Sequence, residues 1–270
     1  MKFCANISLL FTEVPFLERF AAARSAGFDA VEMWWPRGEN LDAVEAAVAD
    51  AGVEVVLLNF DAGDMPAGDR GTLSDPAREH EFHANVPVAL ELADAIGCKQ
   101  LNALVGFGDL DLARRNVQRA ADAARGKTIL IEAVNTYENG PYLLSTTRAA
   151  AEFVRSTGRD NVRLQYDAYH MQRMEGNLLP TIAEYLDLIA HIQIADAPGR
   201  GEPGTGEIDY SYLLPKIDEL GYTGWVGLEY KPTRATVETL DWMATARFGL
   251  RPGDGGRLND RFADRPGVRR

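Results

Sequence analysis

The sequence has little cysteine and histidine, and it lacks long apolar runs. Its 270 residues include 2 Cys and 4 His, too few Cys for a disulfide framework, so we expect Cys4 and Cys98 to be reduced thiols packed among apolar neighbours. No basic and then apolar leader opens the chain, and no uninterrupted apolar run approaches the length of a membrane span. We therefore expect a cytoplasmic protein.

Excess positive charge is also missing. The formal net charge of -12 disfavours nucleic acid and anionic membranes as partners, because both attract a positive surface. A small anion remains an acceptable ligand where a few Arg or Lys residues converge on it. The last segment, residues 251 to 270, is rich in Arg, Gly and Pro. We expect it to form a disordered or partner-docking tail outside a single catalytic domain at residues 1 to 250.

Short apolar runs alternate with longer amphipathic segments along the whole domain. The candidate strands are residues 3 to 10, 28 to 34, 53 to 60, 99 to 105, 128 to 134, 162 to 168, 191 to 196 and 225 to 230. Strict alternation with helical segments indicates a parallel sheet, and this number of units closes an α/β TIM barrel, (β/α)8. An open doubly wound sheet is the alternative, but neither a phosphate-binding glycine fingerprint nor a Walker sequence follows any strand.

Polar residues stand at the carboxyl ends of the last four predicted strands, where a TIM barrel carries its active site. They are Glu132, Asp167, Gln193 and Glu229. Side chains alternate along a strand, so if these four point inward, their apolar neighbours point outward to the helices. The pattern gathers carboxylates and one amide oxygen around one side of the barrel mouth.

Carboxylates gathered in this way repel one another unless a cation shares their charge. A divalent metal removes the conflict, and oxygen ligands favour Mg2+ or Mn2+ over Zn2+. An ordinary ion pair or a capped loop explains one strand-end acid taken alone. Acids at Glu132, Asp167 and Glu229 on nearby strands, with Gln193 among them, favour a metal site.

Further polar residues are predicted near the same mouth. His170 follows Asp167 closely enough to contact a ligand, although a supporting or surface role is the alternative. The loop cations Arg200 and Lys231 can hold a substrate carboxylate, and the alternative for both is a solvated surface charge. The opposite side of the mouth carries the polar strand ends Asn6, Glu32, Trp34 and Asn59, of which Asn6 and Asn59 are candidate substrate contacts.

Several of these residues lie in longer motifs that resemble a known family. The motifs are AREHEFHANVPVALELA, ILIEAVN, QYDAYHMQRMEGNL, HIQIADAPGRGEPGTGEIDY and GWVGLEYKP. Together they resemble the hydroxypyruvate isomerase family of xylose-isomerase-like TIM barrels. The resemblance runs from about residue 2 to residue 245 and leaves out the Arg-rich tail.

The resemblance implies an aldose-ketose isomerisation of a short hydroxy-oxo acid, typically hydroxypyruvate to tartronate semialdehyde through an enediolate. In the family, the residues matching Glu132 and Glu229 are the acid/base pair and also bind the metal. Those matching Asp167 and Gln193 complete the divalent site.

Other functions stay open from the sequence. A 2-oxo-tetronate isomerase would use the same residues, and a ketose epimerase would too, although related epimerases usually carry His where this chain has Gln193. Metal-dependent DNA repair on this barrel would need more His ligands and a basic rim. A barrel that only binds a sugar acid is the non-enzyme alternative, and assembly into a homo-oligomer is undecided.

Overall fold

Eight parallel strands close into a barrel in the computed structural model, which describes residues 1 to 245. Each strand pairs with the next along the chain, and the last pairs with the first. The strands are β1 Lys2–Asn6, β2 Ala30–Met33, β3 Glu54–Asn59, β4 Gln100–Asn102, β5 Thr128–Glu132, β6 Val162–Asp167, β7 Ile189–Ile194 and β8 Trp225–Leu228. The predicted TIM barrel is confirmed, and no strand of the barrel has a free edge.

Helices follow the strands and cover the outside of the barrel. They are α1 Arg19–Ser25, α2 Leu41–Ala51, α3 Glu79–Ala95, α4 Leu110–Ala123, α5 Thr136–Asn139, α6 Thr147–Ser156, α7 Ala168–Met174, α8 Leu178–Tyr185, α9 Tyr210–Glu219 and α10 Trp242–Thr245, with 3-10 helices at Phe16–Glu18 and Thr236–Leu240. Across the described part of the chain, none of them has the length and apolar content that crossing a bilayer requires.

Two of these helices, α5 and α7, are absent from the predicted pattern. Both are short and lie at the carboxyl end of the barrel: α7 follows β6 directly, and three residues separate α5 from the end of β5. Each begins at a side chain that accepts a backbone hydrogen bond: Asn135 Oδ1 accepts from Glu138 N, and Asp167 Oδ1 accepts from Tyr169 N. The predicted tail at residues 251 to 270 lies outside the described residues.

The alternation of side chains along the strands is as predicted. The outward positions of β5 to β8 belong to the main apolar core between sheet and helices; they are Ile129, Ile131, Leu164, Tyr166, Ile192, Ile194, Val226 and Leu228. A smaller apolar cluster, which includes Cys4 and Leu130, occupies inward positions. Cys4 and Cys98 are both free and buried, as predicted. The remaining inward positions near the carboxyl end are polar.

Candidate active site

A cavity of about 310 Å³ opens at the carboxyl end of the barrel. Six of the sequence-predicted site residues line it: Asn59, Glu132, His170, Arg200, Glu229 and Lys231. The other three, Asn6, Asp167 and Gln193, are buried and hydrogen-bonded to lining residues or to their neighbours. The structure therefore brings all the predicted residues to one end of the barrel.

Glu132 ends β5 and points into the barrel mouth. Its Oε2 accepts hydrogen bonds from Asn102 Nδ2 at 3.0 Å and from Gln165 Nε2 at 2.9 Å. Burial raises the pKa of Glu132 well above its ordinary value, and the nearby charges of Glu229 and Asp167 raise it further. The carboxylate thus lies where ionisation is unfavourable unless a positive charge is close.

Asp167 ends β6 and begins α7. Its Oδ1 accepts from the backbone N–H groups of Tyr169 at 2.7 Å and His170 at 3.2 Å. Its Oδ2 is buried and accepts no hydrogen bond from the described chain. Burial raises the pKa of Asp167 to about 7, although the charge of Arg200 opposes the rise. The α7 N-terminus thus fixes one oxygen and leaves the other without a donor.

Glu229 follows β8 directly. Its Oε1 accepts from Asn6 Nδ2 at 3.0 Å and Trp34 Nε1 at 2.8 Å, and its Oε2 lies 2.5 Å from Arg200 Nη2. Burial raises the pKa of Glu229 even though Arg200 lowers it, and the charge of Glu32 adds to the rise. This carboxylate therefore has three fixed donors and still resists ionisation.

Gln193 connects the mouth of the barrel to its interior. Its Oε1 accepts from Gln165 Nε2 at 2.6 Å, and the same Gln165 nitrogen donates to Glu132. Its Nε2 donates to Glu32 Oε1 at 2.7 Å. Because Glu32 can only accept when ionised, it fixes which end of the Gln193 amide faces Gln165 and Glu132.

Glu32 lies fully buried below the cavity and crosses the barrel from β2 to β7. Its Oε2 is 2.6 Å from His191 Nε2, and its Oε1 also accepts from Asn6 Nδ2 at 3.0 Å. A Cβ on Gly227 of β8 would lie 2.2 Å from Glu32 Oε2, so glycine at that position makes room for the carboxylate. Burial opposes ionisation, but the charge and hydrogen bond of His191, with bonds from Gln193 and Asn6, lower the pKa of Glu32.

His170 presents a hydrogen-bond donor to the carboxylates. Its Nδ1 lies 3.3 Å from the backbone N–H of Asn135 and 2.7 Å from Asn135 Nδ2. Because a backbone N–H can only donate, Nδ1 is the acceptor and the proton of the neutral ring is on Nε2. Burial, followed by the charge of Arg200, lowers the pKa of His170 well below its ordinary value, so the ring is neutral. Nε2 lies 3.7 Å from Glu132 Oε1 and 3.6 Å from Asp167 Oδ2.

Arg200 is placed by a loop after β7 that folds back on itself. The Asp196 side chain accepts from the backbone N–H groups of Gly204 at 2.8 Å and Ile208 at 3.0 Å, and Arg200 itself has a φ of 57°. Its guanidinium lies 5.3 Å from the centre of the Tyr169 ring and 3.6 Å from Asp167 Oδ2. Arg200 is therefore a partly buried counter-charge to the acids, whereas Lys231, whose N–H donates to the Arg200 carbonyl, exposes its side chain at the mouth.

Sequence reasoning missed three residues that the structure brings to this region: Arg70, Gln165 and His191. It placed Glu32 at the mouth, whereas the structure buries Glu32 below the cavity. The period of two along β6 and β7 carried a signal, because Gln165 and His191 each precede a predicted site residue by two positions and so share its inward face. Arg70 carried no such signal, because it lies far along the loop that follows β3.

The acids are suited to a divalent cation. Ligand atoms of Glu132, Asp167 and His170 all lie within 4.8 Å of one another. Asp167 Oδ2 accepts no hydrogen bond from the described residues, and the pKa values of Glu132 and Asp167 are raised; both observations fit a site that takes up further positive charge. Because His170 carries its proton on the nitrogen that faces the acids, it is the least suited of this group to be a ligand.

Comparison with known proteins agrees with this geometry. The family model for the xylose isomerase-like TIM barrel matches residues 20 to 246. Hydroxypyruvate isomerase of Escherichia coli K12 is 41% identical over 253 residues, covering 90% of this chain and 98% of that protein. The 2-oxo-tetronate isomerase of Haemophilus influenzae is 40% identical over 252 residues, covering 90% and 98%. A crystal structure described as an AP endonuclease of family 2 from Brucella melitensis has a TM-score of 0.85 at 38% identity, covering 91% and 99%.

The chain belongs to the xylose isomerase-like TIM-barrel family. The sequence motifs predict a resemblance to hydroxypyruvate isomerases, and the comparison confirms it over 90% of the chain. The protein is therefore an isomerase.

Proposed function

We propose that the protein interconverts hydroxypyruvate and tartronate semialdehyde in a metal-dependent aldose-ketose isomerisation. The observation that carries the proposal is the pair of carboxylates, Glu132 and Glu229, that line one cavity with raised pKa values. A carboxylate with a raised pKa holds and releases a proton more readily than an ordinary glutamate does at its usual pKa, which suits acid/base catalysis. The relatives named as isomerases of hydroxypyruvate and of 2-oxo-tetronate support a short hydroxy-oxo acid as the substrate.

The metal would be held by Glu132, Asp167, Gln193 and Glu229. Their ligating atoms are oxygens, so Mg2+ or Mn2+ is the expected ion. When bound, it supplies electrostatic stabilisation of negative charge that develops on the substrate oxygens. Gln193 is suited to the set because Glu32 holds its Nε2 and leaves Oε1 on the side of Gln165 and Glu132.

The reaction moves hydrogen between two neighbouring carbons. In the forward direction a glutamate takes a proton from the hydroxymethyl carbon, and the released electron pair forms the carbon-carbon double bond of an enediolate. The other glutamate delivers a proton to the former carbonyl carbon. The terminal oxygen gives up its proton and becomes the aldehyde oxygen, and the former carbonyl oxygen takes up that proton and becomes the hydroxyl of the product. Glu132 and Glu229 fill these roles and exchange them in the reverse direction.

The remaining predicted residues bind or orient. We assign His170 Nε2–H as a donor to a substrate oxygen near Glu132, and Arg200, Lys231 and Asn59 as further substrate contacts from the cavity wall. The side chain of Asn6 is hydrogen-bonded to Ser8, Glu32 and Glu229. We therefore assign Asn6 the role of orienting the Glu229 carboxylate beside the substrate.

The test is turnover of a panel of short hydroxy-oxo acids and ketoses with Mg2+, Mn2+, Co2+ or a chelator. Running the reaction in deuterated water, with the carbon skeleton of the product assigned, separates isomerisation from epimerisation. We expect hydroxypyruvate to give tartronate semialdehyde only with a divalent metal. Turnover restricted to neutral ketoses, with inversion at one carbon, would contradict the proposal.

A 2-oxo-tetronate isomerase is the second candidate. It is favoured by the relative of that name, whose identity to this chain is 40%. It differs from the first only in substrate length, and the same panel separates the two. A ketose epimerase is disfavoured by Gln193, where such enzymes usually carry His.

A further inference from the structure

One cation of the cavity wall, Arg70, has no acidic partner. Its Nε donates to Asn139 Oδ1 at 2.5 Å, and its Nη1 donates to the backbone oxygens of Met65 at 2.9 Å and Asp69 at 2.6 Å. These acceptors are all neutral. Within residues 1 to 245, Arg70 forms no ion pair with a carboxylate, and its Nη2 donates no hydrogen bond. Arg70 thus keeps a donor and an unpaired charge at the cavity.

The acids nearest to Arg70 are bound to other groups. The Asp69 carboxylate accepts from Arg78 Nη1 at 2.8 Å and Nη2 at 2.9 Å. Glu138, which also lines the cavity, accepts a hydrogen bond from the Tyr169 hydroxyl. An arginine fixed by neutral oxygens beside a cavity is typical of an anion site, because guanidinium matches carboxylate oxygens in charge and geometry.

The loop that carries Arg70 is fixed to the barrel. Gly71 has a φ of +109°, and a Cβ there would lie 1.8 Å from the Leu104 carbonyl oxygen, so the loop packs closely against the segment after β4. The Gly71 N–H closes the loop by donating to the Ala62 carbonyl at 2.9 Å. Arg70 is therefore held in position before a ligand arrives, which reduces the entropy lost on binding.

The other two cations of the cavity are placed differently. Arg200 is already paired with Glu229 at 2.5 Å, and Lys231 is exposed at the mouth. We propose that Arg70 binds the carboxylate of the substrate and so selects hydroxy-oxo acids over neutral ketoses of similar length. The identity of that substrate rests on the function proposed above; the anion site itself rests on the geometry of Arg70.

The electrostatics of the cavity agree. Burial lowers the pKa of Arg70, the positive charge of Arg200 lowers it further, and the charges of Asp69 and Glu138 oppose this. The pKa of Arg70 is lowered on balance, so these acids do not offset burial and the charge of Arg200. An anion that contacts Arg70 would favour its charged form.

The direct test compares binding of glycerate and glycerol. Glycerol has a hydroxymethyl group where glycerate has its carboxylate, and neither compound is isomerised. Calorimetric titrations use the wild type, R70M and R37M. Arg37 is a matched control because it is an exposed cation on a neighbouring loop, paired with Asp61 and absent from the cavity wall. We expect R70M to weaken glycerate binding by about 10- to 150-fold, the range for a hydrogen bond to a charged group, and R37M to leave it unchanged. Equal affinity of the wild type for glycerate and glycerol, or unchanged glycerate binding in R70M, would overturn the proposal.

Kinetics provide a second readout. With hydroxypyruvate, R70M should raise KM by a similar factor and change kcat much less, because the lost contact holds the substrate and not the reacting carbons. If R70M does not fold, R70K replaces it, and we expect its KM to rise by about tenfold because Lys keeps the charge without the planar fork. A fall in kcat with unchanged KM contradicts the proposal. Absence of any turnover by the wild type would refute the proposed reaction, while the glycerate titration would still decide the role of Arg70.

Discussion

The barrel contains two groups of buried acids with opposite electrostatics. The lower group is Glu32 with its partners below the cavity, and the upper group is Glu132, Asp167 and Glu229 at the cavity. Below the cavity, burial opposes the ionisation of Glu32, and yet its pKa is lowered by the charge and hydrogen bond of His191 together with hydrogen bonds from Gln193 and Asn6. At the cavity, Glu132 and Asp167 are just as buried and have raised pKa values. Burial is the same in both places, so the difference lies in the partners.

The carboxylate of the lower group has a hydrogen-bond partner on each oxygen, whereas the upper group contains a carboxylate oxygen with none in the described part of the chain. Glu32 Oε1 accepts from Asn6 and Gln193, and Oε2 contacts His191, whose Nδ1 has no partner among the described residues. The upper acids share Arg200 as their counter-charge, and Asp167 Oδ2 has no donor among the described residues. A buried carboxylate whose oxygens are bound within the chain stabilises a fold, whereas acids that share too little positive charge are typical of a site that binds a cation and transfers protons.

The largest expected effect is the loss of turnover when Glu132 or Glu229 of the upper group is replaced. E132Q or E229Q should lower kcat by at least about 10²-fold, the low end of positioned acid/base catalysis. In E132Q the free energy of unfolding should stay level or rise because one repelling charge is gone, whereas E229Q also removes the ion-pair partner of Arg200 and should lower it. Steady-state kinetics and urea denaturation measure the two quantities. Near-normal turnover in either folded variant would remove that residue from the acid/base pair.

The opposite outcome is expected for the lower group. E32Q should lower the free energy of unfolding by about 3 to 5 kcal/mol, the usual cost of removing one partner of a buried ion pair. The control is E54Q, which removes an exposed glutamate from the start of β3. If urea denaturation gives E32Q and E54Q equal free energies of unfolding, Glu32 and its partners do not stabilise the fold.

A divalent metal should distinguish the groups by ligand-linked stability. Mg2+ or Mn2+ at 100 times its Kd should stabilise the wild type by about 2.7 kcal/mol, and D167N should lose most of that gain while E54Q keeps it. Thermal unfolding with and without metal provides the measurement. Equal stabilisation of D167N and the wild type would place the ion elsewhere.

The smallest effect is expected for a cation outside both groups. K231M should raise KM for hydroxypyruvate by no more than about fivefold, because exposed charge pairs contribute little, and added salt should reduce the difference from the wild type. Michaelis-Menten measurements at low and high ionic strength test this. A large increase in KM that persists in high salt would contradict a weak, solvent-screened contact between Lys231 and the substrate.

The sequence predicts the upper group of acids well and the lower group poorly. Glu132 and Glu229 were predicted because strand ends of a parallel barrel meet at one rim and apolar neighbours identify the outward face. The contact between Glu32 and His191 joins residues separated by 159 positions on strands that are not neighbours. Such a contact depends on closure of the barrel and on the space that Gly227 leaves for the Glu32 carboxylate. Neither can be predicted from a local sequence pattern.

Local chemistry explains the other differences. Helix α7 is too short for a periodic apolar pattern, and its start is set by the Asp167 side chain, which also belongs to the predicted site. The position of Arg70 depends on the close approach of Gly71 to Leu104, a tertiary contact. These features connect the site to the fold, so they follow from packing more than from periodicity.

The most direct test of the account is the rate of hydroxypyruvate isomerisation by the wild type before chelation, after chelation, and after Mg2+ or Mn2+ is restored. The two-group account predicts that turnover is lost with the chelator and recovered with the metal, since the upper acids would then regain their counter-charge. Turnover that is unchanged by complete chelation would contradict it.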